Sequence, residues 1–348
     1  MAALTWVVAS PSGAQLAVGA DDGKVRVWRP NEGALAWVAD VGEFSTRGRW
    51  TFDGRRLLVA THDGRVVVFA GDSGTREAEL QTGHGLVRGL AVSPDGGRFA
   101  TCGDDGKAII WSAVTLERLV ETKTVSVQGQ DAPAGARALA FVRNDHLVVG
   151  YGTGWFEAWD PTGQRSVAGG EVLSTIDSAA ATADGSLFIL GGGRGGMLAI
   201  GIDADNKYVT KTVWRGFPPR PIAANSIEIA PNGTVLVAAS DDTAVRFDSP
   251  YDTYERRLGS AFYLRSPKPQ WTRDFITSGA TFVPGTPLVV SSHFSSELRV
   301  FGPSWSWAIG TVRFGDDGSI TLATEAGPVP DPVAWWATES APAAATGS

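Results

Sequence analysis

The sequence contains a single cysteine, Cys102, among its 348 residues. One thiol cannot form an internal disulfide, and it cannot build a zinc site from cysteines alone. No run approaches the ~18 consecutive apolar residues of a membrane-spanning helix, so we expect no membrane association. The first 13 residues lack the basic start and the apolar core of a secretory signal, which predicts a cytoplasmic protein.

Basic residues are also in short supply. The chain has 30 Lys+Arg against 37 Asp+Glu, which gives a formal net charge of −7. Proteins that bind nucleic acid non-specifically are usually basic, so this balance argues against a nucleic-acid partner. Lysine is rare while alanine and glycine are abundant, a composition compatible with a bacterial genome of high GC content. With 43% hydrophobic residues, the chain is not a disordered protein.

Motifs for catalysis, metal binding and cofactor binding are lacking as well. The four histidines are His62, His84, His146 and His293. No two of them have the spacing that would place two metal ligands on one face of a short strand or helix. The stretch Gly191–Gly196 satisfies a glycine-rich phosphate-binding pattern, but strand-like runs flank it and no helix follows. We interpret it as a hairpin turn, and Cys102 as a buried, inert thiol. The sequence predicts no enzyme, no metal and no cofactor.

The sequence does have a repeated pattern in which a strand-like run, a turn with Gly or Asp and a second run end at a large apolar residue. These end residues lie 41, 42, 48, 41, 47 and 54 residues apart. They are Trp28, Phe69, Trp111, Trp159, Ile200, Phe247 and Phe301. The spacing is typical of a four-stranded propeller blade of about 40–45 residues with loop insertions.

The local chemistry agrees with strands. Runs such as 24–28 and 65–69 are rich in β-branched residues, and Asp-Gly pairs stand at 22–23, 63–64 and 105–106. Glycine in such a pair adopts the positive φ that a tight hairpin turn requires. No stretch of 12 or more residues has a convincing helical period. The sequence therefore predicts an all-β fold.

The third repeat carries the most complete motif. It contains Gly83-His84, then Ser93-Pro94-Asp95-Gly96, then Thr101, Asp105-Gly106 and Trp111. In this set the chain resembles WD-repeat β-propellers, and the resemblance extends over roughly residues 4–301. It implies that His84, Thr101, Asp105 and Trp111 form a hydrogen-bonded relay that ties the blade together. The other repeats keep only fragments of it.

The organisation that follows is one propeller over residues 1–339, made of four-stranded antiparallel blades, with a disordered tail at 340–348. Seven repeats favour seven blades. A further turn signal at Asp316-Asp317-Gly318 leaves an incomplete eighth blade as the alternative. We interpret 304–326 as the outer strand of the last blade plus a closing strand. The chain begins at an expected innermost strand, Leu4–Ala9, which puts closure by an N-terminal outer strand in doubt.

Three insertions are expected to precede innermost strands, at 121–137, 214–221 and 263–273, and therefore to emerge on one face. The last two combine aromatic residues, arginines and stiffening prolines, and Trp and Arg dominate interface hot spots. We placed segment 42–50 at the corresponding position of the second blade. The hypothesis is a basic, aromatic patch that binds an acidic peptide or protein partner. Its residues are Arg47, Arg49, Trp50, Trp214, Arg215, Phe217, Arg220, Arg265, Lys268, Trp271 and Arg273.

Alternatives remain open at this stage. These aromatics could instead fold back and cap the blade cores. The pair Trp305/Trp307 is assigned to ring closure, and Trp335-Trp336 to a clamp of the C-terminal segment onto the last blade. The favoured function is a non-enzymatic interaction scaffold. A small-molecule or catalytic propeller would require a polar pocket on the axis with perturbed acids or histidines. A self-assembling subunit, a homo-oligomer, is the third possibility.

Overall fold

In the computed structural model the chain forms seven antiparallel sheets, each built from consecutive strands. The description covers residues 2–123, 135–171, 173, 175–193, 196–215, 224–230, 234–239, 244–247, 262–264, 277–293, 296–302, 308–315 and 317–341. In this part of the chain the innermost strands of the seven sheets pack side by side in a closed ring. The predicted all-β propeller with seven blades is confirmed.

The strands of each blade run in order from the axis outward. Blade 1 is β1 (Leu4–Ala9), β2 (Leu16–Ala20), β3 (Lys24–Arg29) and β4 (Ala34–Asp40). Blade 2 is β5 (Ser45–Trp50), β6 (Arg56–Thr61), β7 (Arg65–Ala70) and β8 (Arg76–Gln81). Blade 3 is β9 (Val87–Val92), β10 (Arg98–Gly103), β11 (Ala108–Ser112) and β12 (Arg118–Glu121). Blade 4 is β13 (Ala136–Phe141), β14 (Leu147–Tyr151), β15 (Trp155–Trp159) and β16 (Ser166–Glu171).

The remaining blades follow the same order. Blade 5 is β17 (Ser178–Ala181), β18 (Leu187–Gly191), β19 (Gly196–Ile202) and β20 (Tyr208–Arg215). Blade 6 is β21 (Ala224–Ile229), β22 (Val235–Ala239), β23 (Ala244–Phe247) and β24 (Phe262–Leu264). Blade 7 is β25 (Thr277–Phe282), β26 (Val289–His293), β27 (Glu297–Phe301), β28 (Ala308–Phe314), β29 (Ile320–Thr324) and β30 (Gly327–Pro328). An α-helix, α1 (Pro332–Glu339), follows blade 7.

The Asp-Gly turns are built as the sequence predicts. Gly23, Gly64 and Gly106 have φ of 72°, 89° and 74°, values that other residues adopt only with strain. In the third of these turns the Asp105 carboxylate accepts a hydrogen bond of 3.1 Å from the Lys107 backbone N–H. Each turn therefore reverses the chain between the second and third strands of its blade.

The hydrophobic core lies between adjacent blades rather than inside one sheet. Between blades 2 and 3, for example, Leu58 and Val68 pack with Phe99 and Trp111. The Phe99 and Trp111 rings stack at 6.0 Å with an angle of 7° between their planes. Full burial of such a side chain contributes about 1.5–3 kcal/mol. Each blade therefore depends on its neighbours to bury its apolar faces.

Hydroxyl side chains connect neighbouring innermost strands. In four blades, a Ser or Thr near the start of the innermost strand donates a hydrogen bond to a backbone carbonyl. That carbonyl lies at the start of the innermost strand of the next blade. The bonds are Thr5 to Ser45 at 3.0 Å, Thr46 to Val87 at 2.7 Å, Ser178 to Ala224 at 2.8 Å and Ser278 to Leu4 at 2.8 Å. The last of these joins blade 7 to blade 1. We call the junction between these two blades the seam.

The described strands show no exchange across the seam, because blade 1 and blade 7 each consist of strands from one continuous segment. Closure by an N-terminal outer strand is therefore not used. The strand β28 is the outer strand of blade 7, as expected for 304–326. The expected closing strand is wrong, however, because β29 and β30 continue the same sheet outward. The Asp317-Gly318 turn thus extends blade 7, and the described residues contain no eighth sheet.

The helix α1 spans the seam. It begins at Asp331, whose carboxylate accepts a hydrogen bond of 3.0 Å from the Ala334 backbone N–H. Trp336 is 1% exposed and meets Trp28 of blade 1 edge to face at 5.2 Å. Trp335 covers Gly310 of blade 7, where an added Cβ would lie 2.7 Å from the indole. The tryptophan pair therefore contacts both blades, not the last blade alone.

Two further expectations concern segments that the description does not reach. Trp305 and Trp307 lie outside the described residues, as does 342–348 of the expected tail. Among the described residues, no helix has the length and apolar character needed to cross a membrane.

Candidate functional site

The relay residues of blade 3 form one hydrogen-bonded chain. The Trp111 indole N–H donates to the Thr101 hydroxyl at 3.0 Å, and this oxygen lies 3.0 Å from Nε2 of His84. The other ring nitrogen of His84 lies 2.9 Å from the Asp105 carboxylate. The chain is satisfied when the hydroxyl donates to Nε2 and the Nδ1–H donates to Asp105. All four side chains then have partners within the blade.

The electrostatics of the relay favour a structural role. Partial burial tends to raise the pKa of Asp105, but hydrogen bonds from His84 and from the Lys107 backbone N–H outweigh it, and the pKa is lowered. In blade 1, by contrast, the Trp28 indole N–H has no hydrogen-bond partner within the described part of the chain. Blade 1 thus lacks the indole hydrogen bond that blade 3 makes.

His146, His293 and Cys102 lie in packed surroundings, whereas His62 is exposed and its ring meets Phe44 edge to face at 6.3 Å. His146 Nδ1 lies 2.8 Å from the Tyr208 hydroxyl, and His293 Nε2 lies 2.8 Å from the Ser291 hydroxyl. Burial raises the pKa of the Cys102 thiol well above its usual range, which keeps the thiol uncharged and unreactive. Within the described ranges, no three metal-binding side chains come together. The glycine-rich stretch joins β18 and β19, which pair antiparallel as a hairpin.

The structure differs from the sequence analysis at Arg47, Arg49 and Trp50. We placed them among connecting-loop residues, but all three lie on β5, the innermost strand of blade 2. Trp50 is 5% exposed and packs between blades 1 and 2, so it caps a core rather than forming a binding surface. Arg47 and Arg49 are half-buried and line the central channel.

Of the other residues of the predicted patch, two lie within the described part of the chain. Trp214 and Arg215 end β20, where their backbone pairs with Met197 and Gly196 of β19. Six residues lie outside the described ranges: Phe217, Arg220, Arg265, Lys268, Trp271 and Arg273.

A cavity of about 500 Å³ occupies the axis, and all seven innermost strands contribute to its wall. Much of this wall is alanine, including Ala91, Ala140, Ala180 and Ala280. Small side chains leave the centre of the ring open. Arg47, Arg49 and Glu228 are the charged residues of its lining, which also includes Thr182, Ser226 and Ser278.

The charges in the channel are strongly perturbed. Burial, reinforced by repulsion from Arg49, lowers the pKa of Arg47 to about 10, and burial also lowers the pKa of Arg49. Burial raises the pKa of Glu228 to about 7, although a hydrogen bond with Thr281 and the charge of Arg49 oppose the rise. A carboxylate that titrates near neutrality is common at functional sites.

Glu228 is not among the residues predicted from the sequence, because its signal there is weak. Glu228 stands between two isoleucines in a short β-branched run, where a charged residue is unusual. Arg47 and Arg49 alternate around Gly48, the period that places two side chains on one face of a strand. Neither signal shows that these residues meet across a ring.

Seven radial sheets around an open axis define the class of this protein, a seven-bladed β-propeller. A family model, the WD domain or G-beta repeat, matches residues 2–29 and 76–112. The second match contains the whole relay. The matched segments are similar to WD repeats, and the resemblance to WD-repeat propellers is confirmed.

Solved structures agree on the fold. The chain is similar to the crystal structure of the Cps50 (Swd1) β-propeller domain from Myceliophteria thermophila, with a TM-score of 0.69 and 18% identity. The alignment covers 83% of this chain and 93% of that chain. No curated protein matches the sequence significantly.

Proposed function

We propose that this propeller is a non-enzymatic scaffold that binds an acidic peptide or protein segment. The binding surface would be the face where each outer strand connects to the next innermost strand, which we call the upper face. One observation carries the proposal. The three longest connections from an outer strand to the next innermost strand are 122–135, 216–223 and 265–276. The other connections of this kind, 41–44, 82–86 and 172–177, are short.

The composition of these connections supports an acidic partner. The connections 122–135, 216–223 and 265–276 contain five basic residues, Lys123, Arg220, Arg265, Lys268 and Arg273, against two acidic residues, Asp131 and Asp274. This is local positive charge on a protein whose net charge is −7. Loops on a rigid frame commonly carry recognition, and complementary charge speeds association and sets specificity. WD-repeat propellers are generally scaffolds, and this assignment rests on that analogy as well.

The test is affinity purification from the native host with quantitative mass spectrometry. The variant is Trp214→Ala/Trp271→Ala, and the matched control is Arg55→Ala. Arg55 follows an innermost strand and so lies in a turn of the opposite face. We expect one stoichiometric partner with the wild type and the control and its loss in the double variant. The melting temperature of the variant should stay nearly unchanged.

Binding must then be reproduced with the purified partner. We expect it to weaken as salt rises and when acidic residues of the bound segment are changed to amides. A partner that the double variant retains would overturn the proposal, and so would a large loss of stability in that variant. A size that increases with protein concentration, without any partner, would favour self-assembly instead. The sequence-based prediction of a cytoplasmic location stays a prediction.

A further inference from the structure

We propose that the central channel is a binding site for a small oxyanion, a molecule with a phosphate or carboxylate group held between the guanidinium groups of Arg47 and Arg49. This site is separate from the upper-face surface proposed above. It lies inside the ring, where a cavity of about 500 Å³ has the size of a typical small-molecule pocket.

The backbone of β5 directs both arginines to one side. Gly48 faces blade 1, where an added Cβ would lie 2.2 Å from the Trp6 ring. Side chains alternate along a strand, so Arg47 and Arg49 share the opposite side, about 7 Å apart along the strand. Both line the same cavity. Two long side chains at this spacing can converge on one anion.

Arg47 and Arg49 differ from other arginines near the channel in their ion pairs. Arg88 is paired with Asp104, and Arg137 lies 2.8 Å from Asp177. Within the described part of the chain, neither Arg47 nor Arg49 forms such an ion pair.

The arginines instead use few of their hydrogen-bond donors. Arg47 donates to the Thr46 carbonyl at 3.0 Å, and Arg49 donates to the Gly48 carbonyl at 3.0 Å. A guanidinium has five N–H donors, and among the described residues most of those on each side chain find no acceptor. Charge-assisted hydrogen bonds to an oxyanion would offset the cost of holding two like charges away from bulk water.

The carboxylate of Glu228 is the group whose negative charge opposes the binding of an anion. It belongs to β21, across the channel from β5, and its charge acts on Arg49. The elements around it supply the Thr281 hydroxyl and the Phe282 backbone N–H of β25. Among the described residues that line this end of the channel, Arg49 is the other charged side chain. Protonation of Glu228 near neutral pH removes a negative charge that competes with a bound anion at this end of the channel.

Sulfate is a suitable probe, because its charge stays at −2 between pH 6 and 8 and any pH effect then belongs to the protein. Sulfate binding is measured by calorimetry on the full chain, at ionic strength held constant with chloride. We expect saturable binding of one sulfate. Arg47→Gln and Arg49→Gln should each weaken it at least about tenfold. The control Arg55→Gln removes an exposed surface arginine and should leave binding unchanged.

Two further variants decide the outcome if a glutamine variant does not fold. Arg49→Lys keeps the charge but not the planar fork, and binding should be intermediate. Glu228→Gln should strengthen sulfate binding at pH 8 and remove the rise in affinity that the wild type shows from pH 8 to pH 6. The absence of saturable binding to the wild type would overturn the proposal. Equal affinity in the wild type, Arg49→Lys and Glu228→Gln would do the same.

Discussion

The helix across the seam gives the sharpest test of how the ring is held closed. The perturbation is Trp336→Ala. Trp336 is 1% exposed and belongs to a core cluster that includes Trp28 of blade 1 and Val290 of blade 7. The substitution removes the indole from between two blades that exchange no strand, while alanine leaves the helix itself intact.

The expected magnitude follows from this burial. Replacing a fully buried tryptophan with alanine costs about 3–5 kcal/mol, because the transfer energy is lost and a cavity remains. An unfolding entropy of about 2.1 cal/mol/K per residue gives about 0.7 kcal/mol/K for this chain, so the melting temperature should fall by about 4–7 °C. Trp335→Ala removes a half-buried ring and should cost less.

The assay is thermal unfolding followed by far-UV circular dichroism, with denaturant unfolding as a second measurement. Thr338→Ala, at an exposed position of the same helix, controls for changes in helix propensity. Because the seam is expected to depend on Trp336, Trp336→Ala should lower the melting temperature much more than Thr338→Ala does. Equal shifts for the two variants would show that the ring closes without the helix.

Three other perturbations have defined outcomes. Thr101→Val leaves two buried ring nitrogens of the relay without partners and should lower the free energy of unfolding by about 1–3 kcal/mol in denaturant titrations. Gly48→Ala forces a methyl group against the Trp6 ring and should cost about 1–3 kcal/mol, whereas Gly170→Ala, with open space around it, should be nearly neutral. The pKa of Glu228 is raised by burial to about 7 from an ordinary 4.5, so the folded state binds its proton more tightly than the unfolded chain. Stability should therefore fall on the order of 1–2 kcal/mol as the pH rises from about 5 to about 8, and Glu228→Gln should flatten that profile.

The fold was predictable because its signals are local and repeated. The Asp-Gly pairs fix turns within a few residues, and the large apolar residue at the end of each repeat fixes a third strand. The spacing between Asp105 and Trp111 is likewise set within one hairpin. Each of these features depends on residues close in sequence, and seven repetitions of the pattern make a chance match implausible.

The channel and the seam depend instead on distant residues. Arg49 and Glu228 are brought near each other only when blades 2 and 6 take their places in the ring. The segment 42–50 reads as a loop because it contains Gly, Ser and Thr, yet those residues are small for a packing reason. Gly48 must admit the Trp6 ring, and Thr46 must reach the next blade. The helix has only eight residues, and Trp336 stabilises it through contacts that the helical period does not encode.

The outward extension of blade 7 bears on how copies of this protein meet one another. An open sheet edge is a template for pairing with another chain. The outermost strand here, β30, has only two residues and ends at Pro328, which has no backbone N–H to donate. The next residues turn into α1 and run back toward blade 1. This part of the rim is therefore protected against edge-to-edge aggregation, and any homotypic association through it would have to use side chains rather than a continuous backbone ladder.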